Sequence, residues 1–413
     1  MKKRLLLVLL LATAIFFFRG EEKTPSAVYL TWLRDPTTTM TVQWQCGNEN
    51  AALVYQREGE ESWLEVKGSS HHVAEGTLLW GKLFVNTVEI TGLLPDTTYA
   101  FRVAKDSSIY RFRTMPQNGT RPLHFVVGGD VYQHDIFLLK KMNAQVAKMD
   151  PDFVILGGDI AYTRGHNALL KGRYFEMRRW HTFFKQWKQQ MVTSDGRLIP
   201  LVAVLGNHDV SSRHLDPKNG GALFYELFAF PNNLVSYRTL DFGDELSLFF
   251  LDTGHTYPVV GKQTTWLKEA LEERKAQQHK MVVYHVAAYP SVSRPDKKCN
   301  KLVRKHWAPL FEEHGVKTVF EHHDHAYKRT HPIKGEKIDP EGVVYLGDGG
   351  WASVPREPLK ADERWYLAKT ARANFVYFVS LQDKNLVVQG IDNEGHLIDQ
   401  ITLSSTANPL TPR

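Results

Sequence analysis

The chain has 413 residues, 43% of them hydrophobic, 23% charged and 12% aromatic. That length suits two domains, and the composition excludes a disordered chain or a coiled coil. The formal net charge is +6, but Lys2, Lys3, Arg4 and Arg19 crowd the first twenty residues; without them 47 basic residues face 45 acidic ones, a balance that gives no support to nucleic-acid binding.

Residues 1–20, MKKRLLLVLLLATAIFFFRG, set a basic start before an apolar run from Leu5 to Phe18. The run is short for a membrane span and normal for an export signal. Ala12 and Ala14 offer a cleavage site, with an uncleaved N-terminal anchor as the alternative. Either way the chain is expected outside the cytoplasm, periplasmic or extracellular, and meets a membrane only through this segment. Cys46 and Cys299 are the only cysteines. They fall in different candidate domains and are expected as separate thiols. Asn118-Gly119-Thr120 is a glycosylation triplet, read here as an unused surface sequence.

Residues 25–115 read as all-β. Runs such as AVYLTWL, TMTVQWQ, AALVYQR and KLFVNTVEITGL are rich in β-branched and aromatic residues and are separated by turn residues. About seven short strands predict a β-sandwich. In GLLPDTTYAFRV, Pro95-Asp96 makes a turn and Tyr99 stands where a tyrosine corner belongs. This part resembles a fibronectin type III module. MPQNGTRP, Met115 to Pro122, is the linker.

Residues 121–405 change character. LHFVVGG, DFVILGG, PLVAVLG, LSLFFLD, KMVVYH and VKTVFEH are apolar runs. Helical patterns lie among them, as in IFLLKKMNAQVAKM, TTWLKEALEERKAQQ and KLVRKHWAPLFEEHG. Apolar strands alternating with helices predict an α/β domain whose sheets are covered by helices. VVYLGDGG, FVYFVSLQ, NLVVQGID and LIDQITL close the chain and are expected as antiparallel strands, with turns at Asp383-Lys384-Asn385 and Asn393-Glu394-Gly395.

The polar residues just past these runs carry the chemistry. Asp130 follows the first run; Asp159 follows the second, with Tyr162 three residues on. Asn207, His208 and Asp209 follow PLVAVLG. KMVVY ends at His285, and VKTVF leads into Glu321, His322, His323, Asp324 and His325. Each alone reads as a turn or a capping residue. Together they put oxygen and imidazole donors at the carboxyl ends of successive strands, the edge where α/β sheets bind ligands. Such donors suit two di- or trivalent cations.

The series GGD ending at Asp130, GGDIAY, GNHD, VVYH and HHDHAYKR resembles the calcineurin-like metallophosphoesterases, and within them the purple acid phosphatases. Tyr162 and the leading β-domain select that branch. The resemblance implies an αββα sandwich of two mixed sheets. It implies that Asp130, Asp159, Tyr162 and His325 hold Fe(III). It further implies that Asp159, Asn207, His285 and His323 hold a divalent Fe, Zn or Mn, Asp159 being shared. His208 would orient the phosphate and protonate the leaving oxygen, with Asp209 supporting it, while a metal-bound hydroxide attacks phosphorus.

The sequence departs from that pattern at three places. Val131-Tyr132 stands where the first motif continues to Gly, His322 stands where the last motif begins with Gly, and Ser293-Arg294-Pro295 stands where plant-type enzymes carry a histidine pair. Arg294 or His322 is therefore expected to face the phosphate. Tyr289, Tyr327, Arg329, His255 and Trp351 are candidate pocket walls, with core packing the competing reading for the aromatics. The leading function is hydrolysis of small phosphate monoesters. A phosphodiester or nucleotide substrate on the same centre is the alternative, and a surface-attached binding protein with an inert second domain is the reading from another class.

Overall fold

The computed structural model describes residues 25–73, 82–103, 106–117, 119–163, 173–210, 217–218, 222–232, 234–382 and 385–404. The export segment, Asn118 of the glycosylation triplet and the turn residues Asp383 and Lys384 lie outside them. No helix among the described residues is long and apolar enough to cross a membrane.

The first part contains β1 (Ala27–Thr31), β2 (Met40–Cys46), β3 (Ala52–Arg57), β4 (Leu64–Lys67), β5 (Ser69–His72), β6 (Phe84–Ile90), β7 (Thr98–Val103) and β8 (Tyr110–Arg113). They form two four-stranded sheets, ordered β1-β2-β6-β5 and β4-β3-β7-β8, which is the expected sandwich. The alternation in β2 explains its place. Met40, Val42 and Trp44 enter the core, while Thr41, Gln43 and Gln45 point the other way and are buried as well. What covers that polar face is the second domain: Gln43 Oε1 accepts the Ala229 amide at 3.0 Å. Tyr29 likewise stacks on Phe184 with 4.5 Å between centroids. The tyrosine corner forms, the Leu94 amide donating to the Tyr99 hydroxyl at 2.9 Å.

The second part adds β9 (Leu123–Gly128), β10 (Phe153–Leu156), β11 (Leu201–Ala203), β12 (Arg238–Phe242), β13 (Leu246–Phe250), β14 (His279–Val286), β15 (Thr318–His322), β16 (Tyr327–Thr330), β17 (Ile333–Lys334), β18 (Lys337–Ile338), β19 (Val344–Gly347), β20 (Leu367–Ala371), β21 (Phe375–Gln382), β22 (Asn385–Asp392) and β23 (Leu397–Ser404). Its helices are α1 (Ile136–Lys148), α2 (Arg173–Gln190), α3 (Ala222–Leu227), α4 (Lys262–Glu273), α5 (Lys298–His306) and α6 (Ala308–Glu313). One sheet runs β11-β10-β9-β21-β22-β23, the other β12-β13-β14-β15-β19-β16-β20.

The sheets pack face to face because their strands alternate. Phe125, Val127 and Ile155 of the six-stranded sheet meet Leu248, Met281, Val283 and Phe320 of the seven-stranded sheet in one core. The opposite faces are apolar too. Val126, Val154 and Leu156 are covered by Leu139, Val146, Trp180 and Phe183 of α1 and α2, and Val282, Tyr284 and Val319 by Leu267, Val303 and Phe311 of α4, α5 and α6. This is the expected αββα sandwich. The tail differs in one respect. β21, β22 and β23 are antiparallel, but β19 pairs parallel with β15, because its four buried residues fill an interior slot of the second sheet. Cys46 and Cys299 are free thiols.

Candidate metal centre

β9, β10 and β11 end side by side, and their following turns are laced together. The Asp130 amide donates to Gly158 O at 2.9 Å, Val131 to Asp159 O at 2.9 Å and Tyr132 to Ile160 O at 3.0 Å. Asp130, Asp159 and Tyr162 all take positive φ, 56°, 53° and 48°, a left-handed conformation that is costly for such residues and turns their side chains back over the strand ends. The Tyr162 hydroxyl donates to Asp130 Oδ1 at 2.7 Å and lies 2.7 Å from His325 Nε2. From the β11 turn, the His208 amide donates to Asp159 Oδ1 at 2.6 Å, and the His208 ring stacks on Tyr162 at 4.7 Å.

The seven-stranded sheet supplies the imidazoles. His285 is the penultimate residue of β14. Its Nδ1 lies 2.9 Å from Gly157 O, and since a carbonyl only accepts, that nitrogen carries a proton and Nε2 is the atom turned to the other donors. Nε2 is 3.3 Å from Asp159 Oδ2 and 3.2 Å from Asn207 Oδ1. His323 and His325 follow β15 with φ of 81° and 55°. The His323 ring lies 5.3 Å from that of His285, and ligand atoms of Asp159, His285 and His323 sit within 4.8 Å of one another. His325 directs Nδ1 to Val354 O at 3.3 Å and Nε2 to Asp130 Oδ1 at 2.9 Å.

These donors fit cations. Among the described residues buried Asp159 Oδ2 has no assigned hydrogen-bond donor, and it meets a second oxygen and the His285 ring. Oxygens and an imidazole that converge in this way require positive charge, from a metal or from a proton on the ring. The electrostatics agree. Burial alone would raise the Asp130 carboxyl, but the His325 and His285 rings hold it far below the carboxylate range. Burial opposes charge on His285 too, yet Asp159 and Asp130 lift it to about 9, so without a metal a proton on Nε2 supplies the positive charge that the carboxylates demand, and a metal would displace it. Burial and the two aspartates raise the Tyr162 phenol well above its ordinary value, so a strong Lewis acid would be needed to ionise it. Burial pushes His323 down to about 4.

Small residues make this closeness possible. A Cβ on Gly349, which has φ of 81°, would stand 1.8 Å from Asp130 Oδ2, and one on Gly206 would stand 2.3 Å from Asp159 Oδ1.

The structure thus brings Asp130, Asp159, Tyr162, Asn207, His208, His285, His323 and His325 to one place. Three expectations need correction. His322 is 1% exposed, and its ring lies against the backbone of Gly129 and Gly157, where a Cβ on Gly157 would sit 1.8 Å from Nε2. It wedges behind the ligand turns and does not face the open side; its position at the buried end of β15 turns it inward. Arg294 pairs with Asp296 at 2.8 Å on a side chain 81% exposed, so solvent and a local carboxylate hold it away. Asp209 does not support the His208 ring: its Oδ1 accepts the Ile160 amide at 2.9 Å and its Oδ2 the Gly206 amide at 3.0 Å. It ties two turns together, and burial beside Asp159 pushes its carboxyl up to about 8.

Of the candidate walls, Tyr289, Tyr327 and Trp351 are buried core, and Arg329 pairs with Asp399 at 2.6 Å. His255 alone adjoins the centre, 5.7 Å from the His285 ring. Two supports went unread in the sequence. Arg179 of α2 bonds Ala161 O, Tyr132 O and Gln133 O, clamping the Asp130 and Asp159 turns together. Lys328, fully buried, pairs with Glu321 and with Asp348, the latter at 2.6 Å, and donates to Tyr289 O at 2.8 Å. The only sequence signal was three charges close to apolar strands, which does not distinguish a buried cluster from a solvated one.

Comparison with known proteins adds the family. Residues 25–114 match the model of the purple acid phosphatase N-terminal domain, and residues 123–327 match the calcineurin-like phosphoesterase model. Purple acid phosphatase 15 of Arabidopsis thaliana is 26% identical over 341 residues, 76% of this chain and 62% of that protein. The chain therefore spans about three fifths of that plant relative's length. Acid phosphatase type 7 of Mus musculus is 21% identical over 419 residues, covering 92% of this chain and 90% of the mouse protein. A purple acid phosphatase from yellow lupin seeds shares the fold, with TM-score 0.73 at 15% identity over 91% of this chain and 74% of that one.

Proposed function

Since the chain belongs to the calcineurin-like phosphoesterases and carries the N-terminal domain of the purple acid phosphatases, we propose that it is an exported hydrolase of small phosphate monoesters that works with two metal ions. The observation that carries this reading is the meeting of buried Asp159 Oδ2 and His285 Nε2 with Asn207 Oδ1, the His323 ring standing beside them.

Asp130, Asp159, Tyr162 and His325 would hold one ion, Fe(III), and Asp159, Asn207, His285 and His323 a divalent Fe, Zn or Mn. When bound, such a pair neutralises phosphate oxygens and makes coordinated water acidic enough to serve as a nucleophile. The chain's own groups do the rest. Gly157 O and Val354 O orient the His285 and His325 rings. His208, held by its amide on Asp159 and its ring on Tyr162, would deliver a proton from its ring to the departing alkoxide. The apolar start of the chain supports export, and the near-neutral remainder supports a small anionic substrate over nucleic acid.

The test is metal analysis and a visible spectrum of protein purified without added metal, alongside Asp159→Asn. About two metals per chain are expected, with a broad absorption band if Tyr162 binds ferric iron. The substitution should lower turnover of an aryl phosphate on the order of a thousandfold and release metal. Activity that survives Asp159→Asn with metal content unaltered would sink the proposal.

A further inference from the structure

The loop after β13 is built to aim one side chain. Asp252, fully buried, accepts the amides of Gly254 at 3.0 Å and His255 at 2.7 Å through Oδ1. Its Oδ2 takes the amides of Thr256 at 2.9 Å and Tyr257 at 3.0 Å and the Thr256 and Ser236 hydroxyls at 2.7 Å and 2.9 Å. One carboxylate thus fixes the backbone on both sides of His255. Gln263 completes the anchor, its Oε1 accepting the Asp252 amide at 2.8 Å and its Nε2 donating to Asp252 O at 2.9 Å.

The His255 ring is then oriented by Thr253. Thr253 Oγ1 accepts the Val286 amide at 3.1 Å, next to His285, and lies 3.1 Å from His255 Nε2. The buried hydroxyl proton of Thr253 needs an acceptor, and among the described residues His255 Nε2 is the one within reach. A hydroxyl donating to Nε2 leaves the proton of the neutral ring on Nδ1. Nδ1 has no protein partner among the described residues and is absent from their fully enclosed polar atoms, so it keeps some contact with solvent although the residue is only 8% exposed. The ring stands beside His285 and in the field of Asp159 and His208.

We propose that His255 is a substrate-binding residue, donating Nδ1–H to a non-bridging oxygen of the phosphoryl group from the His285 side of the centre. The inference rests on the phosphoesterase reading and deepens it. With His322 wedged inside and Arg294 turned to solvent, His208 and His255 become the two imidazoles that flank the anion. The ring acts as a fixed donor and no proton transfer is assigned to it.

Geometry makes the test specific. An asparagine places its amide nitrogen near the position of Nδ1, whereas a glutamine places one near Nε2. His255→Ala should raise both KM for an aryl phosphate and the dissociation constant of inorganic phosphate, measured by titration of the metal-loaded chain, by about ten- to a hundredfold. His255→Asn should recover to within about threefold of the parent, and His255→Gln should not. Metal content should match the parent in all three. Unchanged phosphate affinity in His255→Ala overturns the proposal. So does loss of metal, which would make His255 a support for His285, and so does equal rescue by Gln. A parent chain that hydrolyses no phosphate ester would count against the hydrolase reading, while phosphate affinity, read without turnover, still decides the role of His255.

Discussion

The two sheets contribute unlike halves to one centre. The six-stranded sheet supplies the oxygens, from Asp130, Asp159, Tyr162 and Asn207; the seven-stranded sheet supplies the nitrogens, from His285, His323 and His325. The oxygen half is held by close packing and backbone hydrogen bonds. Its turns lace amide to carbonyl, Gly129 and Gly157 admit the His322 ring, and Arg179 clamps carbonyls. The imidazole half rests on charge. Glu321, one residue before His322, accepts from the Tyr284 hydroxyl at 2.6 Å and pairs with Lys328. Lys328 also pairs with Asp348, whose carbonyl accepts the His325 amide at 2.8 Å. Burial pushes the Asp348 carboxyl up to about 7 against the pull of Lys328. Carboxylates on short side chains need a tight turn to reach a cation. Imidazoles on longer arms need their ring plane fixed, and a rigid strand end with a second hydrogen bond achieves that.

The largest way to break this contrast is to remove the charge beneath the imidazole half. Lys328→Met leaves Glu321 and Asp348 buried without their cation, and should cost about 3–5 kcal/mol of stability. Denaturant unfolding of the metal-free chain measures it. A loss under about 1 kcal/mol would mean that neutral carboxyls or water replace the lysine without difficulty.

The oxygen half should yield to volume. Gly157→Ala drives a methyl into the His322 ring and should destabilise by about 1–3 kcal/mol. The contrast sharpens in the double variant: His322→Gly vacates that space, so adding Gly157→Ala to it should cost less than adding it to the parent chain. Strict additivity would show that the two residues do not share the site that the coordinates give them.

The smallest effect belongs to a residue that touches neither half. Arg294→Ala should leave the midpoint of denaturant unfolding unchanged, and KM for an aryl phosphate should stay at the parent value. A severalfold rise in KM would restore Arg294 to the phosphate and require its loop to close on substrate.

The strands and the donors at their ends were open to inspection in the sequence, since each is a local matter. An unbroken apolar run with a polar break after it identifies both a buried strand and the residue that leaves it, and repetition of that signal at Asp130, Asp159, Asn207, His285 and His323 marked a binding edge. Direction at the substrate side was not local. His322 looks in sequence like its neighbour His323, and only the backbone turn after β15 sends one ring inward against Gly157 and the other toward Asp159. Arg294 looked free to reach an anion, but the β14–α5 loop carries it away to Asp296. Helix α2 buries Met177, Trp180, Phe184 and Trp187 at helical spacing, but nothing local tells that Arg179 beside that face reaches the carbonyls of Ala161 and Gln133.

By itself, then, the sequence determined which side chains could bind metal and that they leave successive strands, because secondary structure and side-chain chemistry are short-range properties. Only the tertiary structure decided which of them meet. The oxygens and the imidazoles belong to separate sheets, and their distances depend on how two twisted faces pack and how little room the glycines leave. That packing also decided that His322 became a wedge and that the His255 ring came to stand beside His285.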